Sequence, residues 1–448
     1  MKHSSKKLSQ TLVSLCQAKG ITHIVISPGS RNAPLTIGFA NNPFFKCFSI
    51  VDERAAAFFA LGIAQQIRKP VAVLCSSGSA VLNYYPAVAE AYYSNIPLVV
   101  LSADRPSELI DIGDGQTIRQ ENIFEKHILY SANCQDKESY QEQNQKEINH
   151  ALNTAIQNNG PVHINLPFAE PLYETVAEPT VYPENIPIEI EAEMHTDYRE
   201  FSQKWNGSTK KMILVGTLFP NSLSAEVIEK LASDESVLVL TETTSNLHHP
   251  NFIPAIDQLI TSLNHAEFEA LKPDILITFG GMVISKRIKA FLRNFSPKHH
   301  WHIDEKQALD TYFVLDNHIK LKPEMFFTNF LPHTQVVQSD YQRKWLKIRD
   351  YRILKHHKYI EEIPYSDFSV FHKIFELLPN NIQLQLSNSA TVRYAQLFNL
   401  PEDVQVFCNR GTSGIDGRVS TAVGAAYASV LPTILITGDL SLFYDSNG

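Results

Sequence analysis

Short apolar runs and longer amphipathic stretches alternate along this chain. Runs dense in Val, Ile and Leu fall at 21–27, 71–75, 97–101, 162–166, 212–215, 237–240, 275–279, 382–386, 404–408 and 433–437. Each is short and almost continuously apolar, which predicts strands buried on both faces of a parallel sheet. Between them, stretches such as 53–65 and 222–232 repeat their apolar positions every three or four residues and predict helices. Strands alternating with helices predict an α/β protein.

Two shifts in composition divide this pattern. Residues 168–195 are rich in Pro and Glu without a helical period and predict an extended linker. Around 332–365 the chain turns polar, basic and aromatic before the strand–helix pattern resumes. Three units follow, at 1–180, 190–345 and 355–448, the last being small for a doubly wound sheet.

Composition narrows the function classes. The 448 residues are 44% hydrophobic and 19% charged, as in an ordinary globular protein. A net charge of −8 offers no concentrated positive surface for nucleic acid or an anionic membrane, although a few local Arg and Lys suffice for small anions. Cys16, Cys47, Cys75, Cys134 and Cys408 form no CxxC pair, which excludes zinc-ribbon and thioredoxin readings and fits free thiols in a reducing cytosol. The opening MKHSSKKLSQTLVSLC is basic and then amphipathic, without the apolar core of a signal peptide. No apolar run approaches the ~20 residues that span a bilayer. A cytoplasmic protein with no nucleic-acid partner and no membrane span is expected.

Neither GxxxxGK[ST] nor a GxGxxG after the first strand is present, so P-loop and dinucleotide readings are poor. Four segments carry chemistry instead. Ser27-Pro28-Gly29-Ser30-Arg31 follows the first strand, where α/β folds place ligands, and Arg31 can grip a carboxylate with two hydrogen bonds. The ordinary alternative is a turn with a solvated Arg. Glu53 opens an apolar helix beginning ERAAAFF; it either complements the helix dipole or is a buried carboxylate that needs a partner. Asn409-Arg410-Gly411-Thr412-Ser413-Gly414-Ile415-Asp416-Gly417 has three glycines at a spacing of three, with Ile415 as either a ligand contact or a local core plug. Gly438-Asp439 ends a strand, and Asp439 can hold Mg²⁺ on a diphosphate or simply cap a helix.

Together and in this order, these segments resemble the thiamine diphosphate enzyme superfamily. The resemblance is strongest to its 2-succinyl-5-enolpyruvyl-6-hydroxy-3-cyclohexene-1-carboxylate synthases. It rests on SPGSRNAPLT, VDERAAAFFALG, SSGSAVLNYYPAVAEAYYSNIPLVVLSADRP, GQTIRQ, SNSATVR, NRGTSGIDGRVSTAVG and GDLSLFYDSNG. It implies three doubly wound parallel-sheet domains of the thiamine diphosphate-binding fold: pyrimidine-binding, central and diphosphate-binding. It also implies a homodimer or homotetramer with active sites between subunits. The implied activity is decarboxylation of 2-oxoglutarate and addition of the resulting four-carbon unit to isochorismate in menaquinone biosynthesis, with thiamine diphosphate and Mg²⁺, or Mn²⁺ in its place. By the same resemblance, Glu53 is the catalytic group that activates the cofactor's pyrimidine. Gly78, Ile415, Gly438 and Asp439 bind the cofactor, and Asp439 is the metal ligand. Ser389, Arg393 and Arg410 match positions that hold the 2-oxoglutarate-derived carboxylates. Ser30, Arg31, Gln116, Lys286 and Arg287 match positions near isochorismate, with Arg105 facing the site. Gly113-Asp114-Gly115-Gln116 departs from relatives that carry Ala-Asn before the Gln.

Three other readings compete. An acetolactate synthase or decarboxylase type would need fewer cations, because its substrates carry one carboxylate. A binding paralogue without the diphosphate half, and flavin or nucleotide storage on a doubly wound fold, are the others. The superfamily closes its diphosphate motif with a second Mg²⁺ ligand, an Asn, roughly two dozen or more residues after the Asp. Only nine residues follow Asp439, and Asn447 lies too close to serve. The third domain is therefore expected to be truncated, the natural product being longer by about a hundred residues. Residues 1–448 alone are expected to bind thiamine diphosphate–Mg²⁺ weakly and to lack synthase activity. Calorimetric titration of 1–448 tests this, and tight Mg²⁺-dependent binding would place the second ligand within these residues.

Overall fold

The apolar run at 71–75 lies inside a six-stranded sheet, and its neighbours explain why it carries no polar face. The computed structural model describes residues 2–188 and 196–448. Across the sheet the order is Lys46–Ser49, His23–Ile26, Val71–Cys75, Leu98–Asp104, Val162–Pro167 and Tyr130–Asn133, every pair parallel. One face is covered by Lys7–Ala18, Ala33–Ala40 and Gln141–Asn158, through a core that includes Leu12, Leu35 and Leu152. The other is covered by Glu53–Ile67 and Tyr85–Ser94, through Ala60, Ile63 and Val88. A parallel sheet buried on both faces needs strands apolar on both faces, as these are.

The chain divides into two compact units, residues 1–191 with 409–448, and residues 192–408. The third expected domain is thus shared: 355–408 belongs with the second unit and 409–448 with the first. Residues 189–195 of the expected linker, and the expected central-domain start at 190, lie outside the described residues.

The second unit holds its own six-stranded parallel sheet. Its order is Phe252–Ile253, Val237–Leu240, Lys211–Val215, Ile275–Phe279, His299–Ile303 and Asn317–Ile319. A parallel pair, Gln383–Leu386 with Gln405–Phe407, accompanies it. The strand order reverses between Lys211–Val215 and Ile275–Phe279, the place where such sheets bind nucleotides. There Gly281 N–H donates to the Thr217 carbonyl at 2.8 Å, and a Cβ on Gly216 would sit 1.8 Å from the Gly281 oxygen. The two loops at this reversal therefore meet at backbone contact distance.

The apolar runs did not reveal Lys46–Ser49, Tyr130–Asn133, Phe252–Ile253 or Asn317–Ile319. All four are edge strands; three are covered less completely and carry Lys, Ser, Asn and His, whereas Phe252–Ile253 is buried but only two residues long. His299–Ile303 was hidden for another reason. It is interior, but His300 is buried there because its ring meets the Thr278 hydroxyl at 2.8 Å.

In the first unit the Glu53–Ile67 helix packs along Arg418–Ala428. A Cβ on Gly62 would stand 2.1 Å from the Thr421 carbonyl oxygen, and one on Gly424 2.1 Å from that of Phe59. Two glycines facing in opposite directions let the backbones touch. Gly62→Ala should destabilise the chain by about 1–3 kcal/mol, because neither backbone can yield without separating the helices. Urea denaturation measures this, and native stability would show that the helices do not pack at this distance.

Candidate functional site

The first sheet reverses its strand order between His23–Ile26 and Val71–Cys75, and most of the singled-out residues of this unit belong to loops or helix starts there. The loops following these strands abut, since a Cβ on Gly29 would lie 2.4 Å from the Ser76 Cβ. Ser30 is exposed at this point. Arg31 is not a solvated turn residue: it is 5% exposed, donates to the Phe168 carbonyl at 2.7 Å and pairs with Glu170 at 3.1 Å. Its Nε is buried without an acceptor, as is that of Arg105.

Glu53 starts its helix because Asp52 caps it, the Asp52 carboxylate accepting from Ala55 N–H at 3.1 Å. That leaves Glu53 free of the capping role. Glu53 is half-buried, and its carboxylate makes no side-chain hydrogen bond among the described residues. It lies near enough to Cys75 and Tyr84 to add to the effect of burial in raising both of their pKa values. The Tyr84 hydroxyl reaches Ser27 at 3.3 Å, so the acidic helix start faces the strand ends.

A buried amide network, missed from sequence, organises the neighbouring loops. Gln120 accepts from Gly78 N–H at 2.8 Å and donates to the Ala103 carbonyl at 3.2 Å and to Asn165 Oδ1 at 3.0 Å. Asn165 donates in turn to Asp104 at 2.9 Å, and Asp104 accepts from Arg105 N–H at 2.8 Å. Ser102 joins Asn165 at 2.8 Å and His163 at 2.7 Å. Gly78 takes φ +85° and lies against the Gln116 backbone, where a Cβ would come within 3.2 Å. Gln116 itself is exposed, at φ +60°. Burial pushes the His163 imidazole down to about 3, so it stays neutral. Burial likewise pushes the Asp104 carboxyl up to about 6, against the opposing hydrogen bonds from Asn165 and Arg105 and with help from the nearby Glu121 charge. The sequence signal was available: VHINLP places His163 and Asn165 in a wholly buried strand, where polar groups must find partners.

The glycine-rich segment 409–417 also belongs to this unit. Arg418 fastens it by donating to the Asn409 carbonyl at 2.8 Å and to that of Gly414. Ser441 donates to the Ile415 carbonyl at 2.7 Å. The Ile415 side chain is half-buried and lies outside every buried core cluster, so it is not a core plug. Asp439 is exposed and is the first helical residue, Gly438 occupying the cap position, so the N-cap alternative does not hold. Asn447 is turned to Asp52, at 2.7 Å.

Lys286, Arg287, Ser389 and Arg393 belong to the second unit. Lys286 and Arg287 are exposed and open a helix capped by Ser285, whose hydroxyl accepts from Ile288 N–H at 3.1 Å. Ser389, at φ +70°, and Arg393 are exposed at either end of the short helix that follows Gln383–Leu386.

The chain belongs to the class of thiamine diphosphate enzymes. A family model described as thiamine pyrophosphate enzyme, N-terminal TPP binding domain, matches residues 6–128. A second, described as middle domain of thiamine pyrophosphate, matches 182–386. Within that class the chain belongs to the family of 2-succinyl-5-enolpyruvyl-6-hydroxy-3-cyclohexene-1-carboxylate synthases. Relatives of that name from Flavobacterium johnsoniae and Flavobacterium psychrophilum are 57% and 55% identical, each aligned over 98% of this chain and 80% of the relative. One from Bacteroides thetaiotaomicron is 37% identical over 99% of this chain and 80% of its own length.

Asp104 makes the network's stability depend on pH. An Asp in an unfolded chain titrates near 3.9, so between about pH 4 and about pH 6 the folded chain holds the proton that the unfolded chain has lost. This contribution to stability is complete at the acid end and is lost as pH rises through about 6. The melting temperature of the native chain minus that of Asp104→Asn, which cannot titrate, should decline across that window. A flat difference would mean that Asp104 ionises in the fold as it does in water.

Proposed function

We propose that this chain forms 2-succinyl-5-enolpyruvyl-6-hydroxy-3-cyclohexene-1-carboxylate from 2-oxoglutarate and isochorismate with loss of CO₂, as a step of menaquinone biosynthesis. The observation that carries the reading is 57% identity, across 98% of the chain, to a relative of that name. Thiamine diphosphate, when bound, supplies a nucleophilic carbon and an electron sink, which loss of CO₂ from a 2-oxo acid requires.

Glu53 is the group that would hold a proton at the cofactor's pyrimidine ring nitrogen. It suits the task because it is half-buried at the start of an apolar helix and has no side-chain hydrogen bond among the described residues. Gly78 and Gly438 would allow close backbone approach, and Ile415, outside the core clusters, would bear on the cofactor with a stiff branched side chain. Asp439 would ligate Mg²⁺ or Mn²⁺. No group of three His, Cys, Asp or Glu able to hold a metal occurs among the described residues, so diphosphate and water oxygens would have to supply much of the remaining shell.

Both substrates are dianions, and the cations assigned to them divide accordingly. Arg393 and Arg410, with Ser389, would take the carboxylates of the 2-oxoglutarate-derived part. Arg31 and Arg105, each with a buried Nε lacking an acceptor, would take isochorismate with Ser30, Gln116, Lys286 and Arg287. The active form would be a homodimer or homotetramer. Among the described residues no helix is long and apolar enough to cross a membrane.

The test is to incubate the full-length protein with thiamine diphosphate, Mg²⁺ and both substrates and to read the product mass. Glu53→Gln should still bind the cofactor yet fail to exchange its thiazolium C2 proton for deuterium, since an amide cannot share that ring proton as a carboxylate does. Native exchange in this variant would overturn the role given to Glu53, and absence of the adduct with native protein would overturn the reaction.

A further inference from the structure

Glu90 lies in the Tyr85–Ser94 helix within the run YPAVAEAYYS, and it is 1% exposed. A carboxylate buried so deeply needs several donors. Ser94 donates to Oε1 at 2.8 Å from the next turn of the same helix. The other donors come from a segment more than three hundred residues away in sequence. Gly411 N–H donates to Oε1 at 2.8 Å, and Thr412 donates to Oε2 twice, from its N–H at 2.7 Å and its hydroxyl at 2.8 Å. The loop is also pressed onto the helix, since a Cβ on Gly411 would meet the Glu90 carbonyl oxygen and Ser94 Oγ at 2.7 Å.

Arg410 immediately precedes the two residues that Glu90 grips. On its other side, Arg418 holds the Asn409 carbonyl. The backbone on both sides of Arg410 is therefore fixed, on one side by a buried carboxylate and on the other by a buried guanidinium. We infer that Glu90 is a positioning residue for the 2-oxo acid half of the reaction: through Gly411 and Thr412 it sets where Arg410 presents its guanidinium to a substrate carboxylate. This rests on the proposed assignment of Arg410 to the 2-oxoglutarate-derived part. A carboxylate suits the task better than an amide because both of its oxygens accept, and all four groups facing it donate. Glu90→Gln turns one acceptor into a donor that faces donors.

The experiment measures KM for each substrate separately, with kcat and melting temperature, in the full-length protein with thiamine diphosphate and Mg²⁺. Glu90→Gln should raise KM for 2-oxoglutarate by about tenfold or more, the usual consequence of losing a hydrogen bond to a charged group, and leave KM for isochorismate within about twofold. Thr412→Val removes one donor at an exposed residue and so guards against misfolding; a rise of about threefold, confined to 2-oxoglutarate, is expected. Arg410→Ala runs beside them. If it raises KM for 2-oxoglutarate while Glu90→Gln and Thr412→Val leave that KM alone or raise both KM values equally, Glu90 only joins the two segments and the inference falls. If Glu90→Gln does not fold, an unchanged KM for 2-oxoglutarate in Thr412→Val overturns it alone. If Arg410→Ala leaves 2-oxoglutarate use intact, the assignment of Arg410 falls, and the inference with it.

Discussion

The first unit depends on the contact between two helices whose backbones touch. Gly62 and Gly424 each lack the atom that would collide with the other helix's carbonyl. Through that contact the segment 409–448 becomes part of the same compact unit as residues 1–191. The consequence for chemistry is direct. The helix that begins with Glu53 then has the segment carrying Arg410, Ile415 and Asp439 as a neighbour, and Arg54 and Asp52 at its start meet Tyr444 and Asn447. A side chain at either glycine would push the helices apart and loosen every one of these relations together.

Around that contact, several buried carboxylates are met by donors from other segments. Glu90 accepts four donors, and Asp445 accepts the Ser420 N–H at 2.7 Å and its hydroxyl at 2.8 Å. Asp104 is held by Asn165 and Arg105, and still its carboxyl is pushed up to about 6 by burial. Each joins two segments that are distant along the chain. Glu53 is half-buried beside the same strand ends without a side-chain partner. That leaves the Glu53 carboxylate available near strand ends, where ligands bind in this architecture.

The second unit uses the same layered plan toward a different end. At its strand-order reversal Gly216 and Gly281 bring two loops into backbone contact. What it offers are surface groups at helix starts and loop ends, Lys286, Arg287, Ser389 and Arg393 among them.

The interior strands and the apolar helix after Glu53 were legible in the sequence because a doubly covered parallel strand must be apolar throughout, and that signal is local. The candidate site segments stood out for a related reason, since glycine and charge at a strand's end are unusual enough to notice. Edge strands such as Lys46–Ser49 escaped because partial exposure relaxes the demand for apolar residues. His163, Asn165, Gln120 and Glu90 escaped because a buried polar residue is explained only by its partners. Those partners lie on other strands or hundreds of positions away. The sequence alone thus determined which residues could form layers and which could do chemistry. Tertiary structure alone decided which of them meet, because hydrogen bonds and close backbone contacts act over a few ångströms, whatever the separation along the chain.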